Sequence, residues 1–140
     1  METRVDIEAL IENARAAREH AYAPYSGFQV GAAVAAAGRV FTGANVENAS
    51  YGLTVCAERV AVVNAVSQGA RALDGVALVT TTSPPTPPCG MCLQTLAEFS
   101  ADTATFFVTM ANLSGERVTR TLAELLPHGF RKSDLPAKSR

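Results

Sequence analysis

Apolar side chains recur at Ile7, Leu10, Ile11, Ala14, Ala17 and Ala21, with Glu8, Glu12, Arg15 and Arg18 falling between them. That spacing predicts one amphipathic helix over 5–21 with a single buried stripe. It must end before Pro24, because the residue ahead of a proline is pushed out of the helical region. Two short extended runs, 28–35 and 39–46, meet at Ala37-Gly38 and read as a β-hairpin. Residues 57–68 are rich in alanine and valine without a break until Gly69, a length that favours a buried helix over a strand. The nearly continuous apolar run 76–81 predicts a strand covered on both faces. Pro84, Pro85, Pro87 and Pro88 then exclude regular structure until Cys89. Beyond them, 91–99 reads as helix, 105–110 and 116–121 as strands, and 122–126 as a short helix.

This alternation predicts an α/β fold, a single sheet of five strands sandwiched by helices, with parallel crossovers through the two central helices. No repeat or long linker divides the chain. One domain is expected over 1–130, followed by a polar tail over 131–140. At 140 residues it is long enough to bury a sizeable core, and 48% hydrophobic against 18% charged residues excludes a disordered chain.

Lys plus Arg number 12 and Asp plus Glu 13, a net charge of -1. Neither a nucleic-acid nor an anionic-membrane partner is expected from that balance. No apolar stretch approaches the roughly 20 residues of a membrane span. The first six residues lack a basic region leading into an apolar one, so the expected address is the cytoplasm.

Three cysteines, Cys56, Cys89 and Cys92, are too few and of the wrong parity for a disulfide scaffold. They are inert core thiols, a reactive thiol, or metal ligands. His20 and His128 are the only imidazoles and lie far from the cysteines in sequence, so a metal site must lean on sulfur. Cys56-Ala57-Glu58-Arg59 and Cys89-Gly90-Met91-Cys92 both fall at predicted helix starts, where free N–H groups and the positive end of the dipole favour thiolates. Three thiolates on Zn²⁺ leave one tetrahedral position open, which suits catalysis, and water there becomes a nucleophile near neutral pH. Glu58, two residues after Cys56, is the candidate to move protons for that water. Arg59 and the two helix starts are the groups available to offset the excess negative charge.

These motifs resemble the homotetrameric cytidine deaminases that act on free nucleosides. The likeness runs from Ala21-Tyr22-Ala23-Pro24-Tyr25-Ser26 through Phe28-Gln29-Val30-Gly31-Ala32-Ala33 to Glu124-Leu125-Leu126-Pro127. Its most specific stretch is 42–52 (Thr-Gly-Ala-Asn-Val-Glu-Asn-Ala-Ser-Tyr-Gly), followed by 56–59. The resemblance implies a mixed five-stranded sheet in a three-layer αβα arrangement and one zinc per subunit. It implies Cys56, Cys89 and Cys92 as the ligands, Glu58 as the proton shuttle, and Arg59 hydrogen-bonded to the thiolates. Asn45 and Glu47 would hold the ribose hydroxyl, while Phe28 and the Ala57 backbone would meet the nucleoside. Tyr51 and Phe130 would close a neighbouring subunit's pocket. The implied reaction is hydrolysis of cytidine and 2′-deoxycytidine to uridine and 2′-deoxyuridine with release of ammonia, a step of pyrimidine salvage. Two positions depart from the pattern: Leu93, where arginine is common, and Ala44, where cysteine is frequent.

Plainer roles compete for the same residues. Glu58 could simply complement a helix dipole, Phe28 could be core, and Asn45 and Glu47 could organise a loop. A closed zinc-stabilised interaction module would need a fourth protein ligand. A sibling deaminase acting on another aminopyrimidine nucleoside, such as blasticidin S, is the alternative enzyme; the ribose pattern at 45–48 disfavours it.

Overall fold

A computed structural model describes residues 5–136 of the chain. The first element, α1 (Ile7–Arg18), is capped by Asp6, whose carboxylate accepts the Ala9 N–H at 3.1 Å, and buries Leu10, Ile11, Ala14 and Ala17. The helix ends earlier than the predicted Ala21. Its last turn tightens, with Glu19, His20 and Ala21 each bonding three residues back. Tyr22 is then drawn out to bridge Val46, donating to the Asn45 carbonyl at 2.9 Å and accepting from the Glu47 N–H at 2.8 Å. Pairing with the segment ahead of Cys56 therefore ends the helix before Pro24 can.

The hairpin consists of β1 (Gly31–Ala36) and β2 (Arg39–Ala44), paired from Gly31↔Ala44 to Ala36↔Arg39. Ala37 and Gly38 both have positive φ, as a two-residue turn matched to strand twist requires. The remaining elements are α2 (Ala57–Ser67), β3 (Gly75–Thr80), α3 (Gly90–Phe99), β4 (Phe107–Asn112), β5 (Arg117–Thr121) and α4 (Leu122–Leu125). Thr121 and Glu124 cap α4 reciprocally. In the polar segment after Phe130, Lys132–Asp134 forms a 3-10 turn, and Lys132 pairs with Glu98 of α3 at 3.2 Å.

The strands form one mixed sheet in the order β2-β1-β3-β4-β5, antiparallel except between β3 and β4. Both α2 and α3 connect strands that run in the same direction, as expected. Only the pair joined by α3 are neighbours, because β1 lies between β2 and β3. One face of the sheet (Ala32, Val34, Val76, Leu78, Val108, Met110) packs with Ala57, Ala61, Val62, Leu93, Leu96 and Leu122 of α2, α3 and α4. The other face (Ala33, Ala35, Ala77, Val79, Ala111) packs with Leu10, Ile11 and Ala14 of α1. The result is the three-layer sandwich. No described helix is long and apolar enough to cross a membrane.

Two glycines set how closely the helices approach. A Cβ on Gly31 would strike the Ala14 carbonyl and the Arg18 backbone of α1. One on Gly43 would strike Ala57 O and Ala61 N in the first turns of α2. The start of α2, and with it Cys56, is thus seated directly on β2. Gly43→Ala should lift that turn, costing about 1–3 kcal/mol as overpacking does. The expected outcome is a fall in thermal midpoint together with weaker zinc binding, read by calorimetry and chelator competition; unchanged values would show that the close approach is unimportant.

Candidate active site

Because β2 and β3 run in the same direction, α2 and α3 both start beyond the same end of the sheet. Each start carries a cysteine. Cys56 and Cys89 are the residues ahead of α2 and α3, with extended backbones, and their carbonyls accept the first helical bonds from Val60 (3.1 Å) and Leu93 (2.9 Å). Cys92 lies three residues on, on the same side of α3 as Cys89. Cys89 Sγ is 3.4 Å from Cys92 Sγ and 4.0 Å from Cys56 Sγ, and all three lie within 4.8 Å of one another. Thiolates on a tetrahedral zinc with bonds of about 2.3 Å stand about 3.8 Å apart, so the cluster fits this ion with small adjustments. Among the described residues no fourth His, Cys, Asp or Glu joins the group. Three soft donors and one open position form the donor set of a catalytic zinc site rather than a closed structural one.

The surroundings favour negative sulfur. Arg59 Nη2 lies 3.7 Å from Cys56 Sγ and donates to the Thr54 carbonyl at 3.3 Å. The Cys56 thiol is pulled well below its ordinary pKa, first by its hydrogen bond with Cys92 and then by Arg59. Cys92 moves up, because it holds the proton shared with Cys56 and because it is buried. Arg59 moves up in turn, chiefly through its bond to Cys56. Glu58 is buried beside this cluster, and that burial, reinforced by the charge on Cys56, raises its carboxyl pKa to about 7. A carboxyl so placed can hold a proton and surrender it near neutral pH.

A cavity of about 200 Å³ opens beside the sulfurs, lined by Phe28, Asn45, Ala57 and Glu58 together with Cys56 and Cys89. Asn45 braces the extended segment ahead of β1, accepting from the Val30 N–H and donating to the Phe28 carbonyl, each at 2.8 Å. One lone pair and one proton of its amide are left over. Glu47 lies outside this cavity. It lines an adjoining open groove of about 370 Å³ with Tyr25, Ser26, Tyr51 and Thr54, and Thr54 is a wall of both hollows. The Glu47 carboxylate accepts from the Tyr25 N–H (2.9 Å), the Ser26 N–H (3.1 Å) and the Ser26 hydroxyl. Those bonds, the Ser26 hydroxyl first, hold its pKa below the usual carboxylate value.

The segment from residue 4 to residue 109 matches the family model for the cytidine and deoxycytidylate deaminase zinc-binding region. The chain belongs to that family. It is 49% identical over 133 residues to the cytidine deaminase of Halalkalibacterium halodurans, covering 94% of this chain and 98% of the relative. Identity to the cytidine deaminase of Sporosarcina psychrophila is 46% over 132 residues, covering 94% and 96%. The fold superposes on the crystal structure of the cytidine deaminase from Burkholderia pseudomallei with a TM-score of 0.85 at 46% identity, covering 90% of this chain and 100% of the other. Membership of this deaminase family makes the three-cysteine cluster a zinc site.

The two departures from the family pattern differ in consequence. Leu93 is 8% exposed and joins the apolar core, so a packing residue occupies the position after Cys92. Arg59 and the two helix starts are the positive groups at the cluster. Ala44 ends β2 and takes no part in the sulfur cluster. Tyr51 stands at the groove, 74% exposed and edge-on to Tyr25. Phe130 is not brought to the cavity within one chain: it is 56% exposed and lines a separate hollow between α3 and the C-terminal segment. Val30, Thr54, Leu78, Thr80, Thr86 and Pro87 also line the cysteine cavity and were missed in the sequence. The two threonines that close the apolar run 76–81 are a readable signal for Thr80; Thr54 gives none.

Since the metal-free cluster keeps a proton on Cys92, zinc binding must release it. Titration of metal-free protein with zinc in weak buffer at pH 7 is expected to free at least one proton per ion. Binding without proton release would contradict the thiol arrangement.

Proposed function

We propose that this chain catalyses the hydrolytic deamination of cytidine and 2′-deoxycytidine to the uridine nucleosides, releasing ammonia for pyrimidine salvage in the cytoplasm. The observation that carries this reading is the buried Glu58 carboxyl in one cavity with Cys56 and Cys89, whose sulfurs converge with that of Cys92. Cys56, Cys89 and Cys92 would hold the zinc. When bound, zinc supplies the Lewis acidity that makes water nucleophilic at neutral pH. Glu58 then takes a proton from the attacking water and delivers it to N3 of the pyrimidine as C4 becomes tetrahedral. It subsequently carries a proton to the departing amine, so that one carboxyl serves every transfer. Burial suits Glu58 to this work, because its two protonation states are close in energy at neutral pH. Phe28 packs against the base, and the Ala57 backbone meets its edge. Asn45 offers its spare amide proton and lone pair to the ribose, with Glu47 on the far side of Thr54.

The catalytic unit is the single domain over 1–130, and it works as a homotetramer. Exposed Tyr51 and Phe130, together with exposed Leu53, Val63 and Met91, support that assembly, because aromatic and aliphatic side chains of this size favour burial. A neighbour's Phe130 would close a groove that one chain leaves open.

Two substitutions in one four-residue motif test the roles. Cys56→Ala removes a ligand, so zinc content and stability should both collapse. Glu58→Gln keeps size and touches no metal bond, so zinc content should stay stoichiometric while kcat falls at least about 10⁴-fold, the upper end for one acid–base group, since it serves several transfers. Turnover within a few-fold of the parent in zinc-loaded Glu58→Gln would remove Glu58 from the mechanism. Sedimentation equilibrium at assay concentration should give four times the chain mass, and an active monomer would contradict the assembly.

A further inference from the structure

The segment between β3 and α3, residues 81–88, forms the lead-in to Cys89 and supplies Thr86 and Pro87 to the cavity wall. Four of its eight residues are prolines, which lack an N–H, so backbone bonds can do little to fix it. Side-chain bonds fix it instead, and they converge on Thr82. Thr82 Oγ1 is 3.1 Å from Thr80 Oγ1 and 2.5 Å from Thr86 Oγ1, which joins two residues of the cavity wall. The Thr82 carbonyl accepts from Asn112 Nδ2 at 2.9 Å. Asn112, 2% exposed at the end of β4, is itself held rigidly. Its Oδ1 accepts from the Ser114 and Glu116 N–H groups at 3.0 Å each, and its Nδ2 also reaches Glu116 Oε1 at 3.1 Å. Glu116 Oε1 in turn accepts from the Ser83 hydroxyl at 2.5 Å. Thr82 itself neither lines the cavity nor belongs to the sulfur cluster.

We infer that Thr82 is a positioning residue: its hydroxyl clamps Thr86 to Thr80, and through that clamp sets the cavity wall and the approach of Cys89 to the other two sulfurs. The inference rests on the reading of this cavity as the deaminase site. Without the hydroxyl, the proline-rich segment keeps its ties through Asn112 and Glu116 and a long Thr82 N–H bond to Thr80 Oγ1 at 3.4 Å, but the clamp from Thr86 to Thr80 is gone and the buried Thr80 hydroxyl loses its side-chain partner. Groups that orient ligands from behind typically contribute 10–100-fold to metal affinity, and one acting through an intervening segment belongs at the lower end. A shifted wall weakens substrate and transition state alike, which raises KM more than it lowers kcat.

The test compares Thr82→Val, which keeps the β-branched shape and deletes the hydroxyl, with Thr82→Ser, which restores it. Thr82→Ala is a second deletion in case valine packs poorly, and Thr81→Val is a control at an exposed neighbour. Metal-free proteins are titrated with zinc against a chromophoric chelator, and zinc-loaded proteins are assayed with cytidine. Zinc affinity should fall about tenfold in Thr82→Val and Thr82→Ala. KM should rise several-fold in both with a smaller change in kcat, and Thr82→Ser and Thr81→Val should stay within twofold of the parent. Parent-like affinity and KM in the two deletions, or failure of serine to restore them, would overturn the inference. The zinc arm needs no turnover. A parent chain inactive on cytidine would defeat the functional reading alone, whereas an active parent with parent-like Thr82 variants would defeat the positioning role alone.

Discussion

Three sulfurs within 4.8 Å of one another set the terms for everything around them. Two thiolates 4.0 Å apart repel by about 4 kcal/mol at an effective dielectric of about 20, and three of them form three such pairs. Each helix start returns roughly 0.3–1 kcal/mol, up to about 2 in a partly buried setting. Arg59 attracts Cys56 across 3.7 Å, but its guanidinium is part-exposed and solvent screens it. These favourable terms fall short of the repulsion. The metal-free cluster therefore keeps a proton on Cys92, and a divalent cation is what allows all three sulfurs to ionise together. Burial of Glu58 follows the same logic, since a negative cluster beside it helps keep its proton in place until neutral pH.

The sheet topology makes the cluster possible. With β1 inserted antiparallel between β2 and β3, two crossover helices start at one end of the sheet, one over β2 and one after β3. Ligands of open α/β sheets sit beyond the carboxyl ends of strands, and here that crevice receives a cysteine from each helix start. Gly43 lets the first turn of α2 rest on the sheet, which fixes Cys56 and Glu58 as a unit. Cys89 has no such seat. It depends on a proline-rich segment held by side chains, so the two halves of the site are anchored by different means.

Much of this was legible in the residues. The cysteine motifs, the Glu58 position, the five strands and the four helices could be read from spacing, turn residues and proline placement. The order of the strands could not. The apolar run of β1 marks a strand covered on both faces, but it does not say which strands flank it. Pro24 is the visible stop for α1 in the sequence, whereas pairing of Tyr22 with residues 45–47 acts first. Asn45 matched a substrate-binding pattern, yet it also braces the backbone of Phe28 and Val30, a contact between residues far apart in the chain. Phe130 carries no local sign of where it lies, because its surroundings depend on how the C-terminal segment folds back over α3.

Everything in the cavity is arranged for water to replace an exocyclic amine. The most direct measurement is to run the zinc-loaded protein on cytidine in heavy-oxygen water, following ammonia and the mass of the product. One ammonia and one heavy oxygen at C4 of uridine per turnover is the predicted result, with no reaction from the metal-free protein. Unlabelled uridine, or turnover that persists after the metal is stripped, would contradict it.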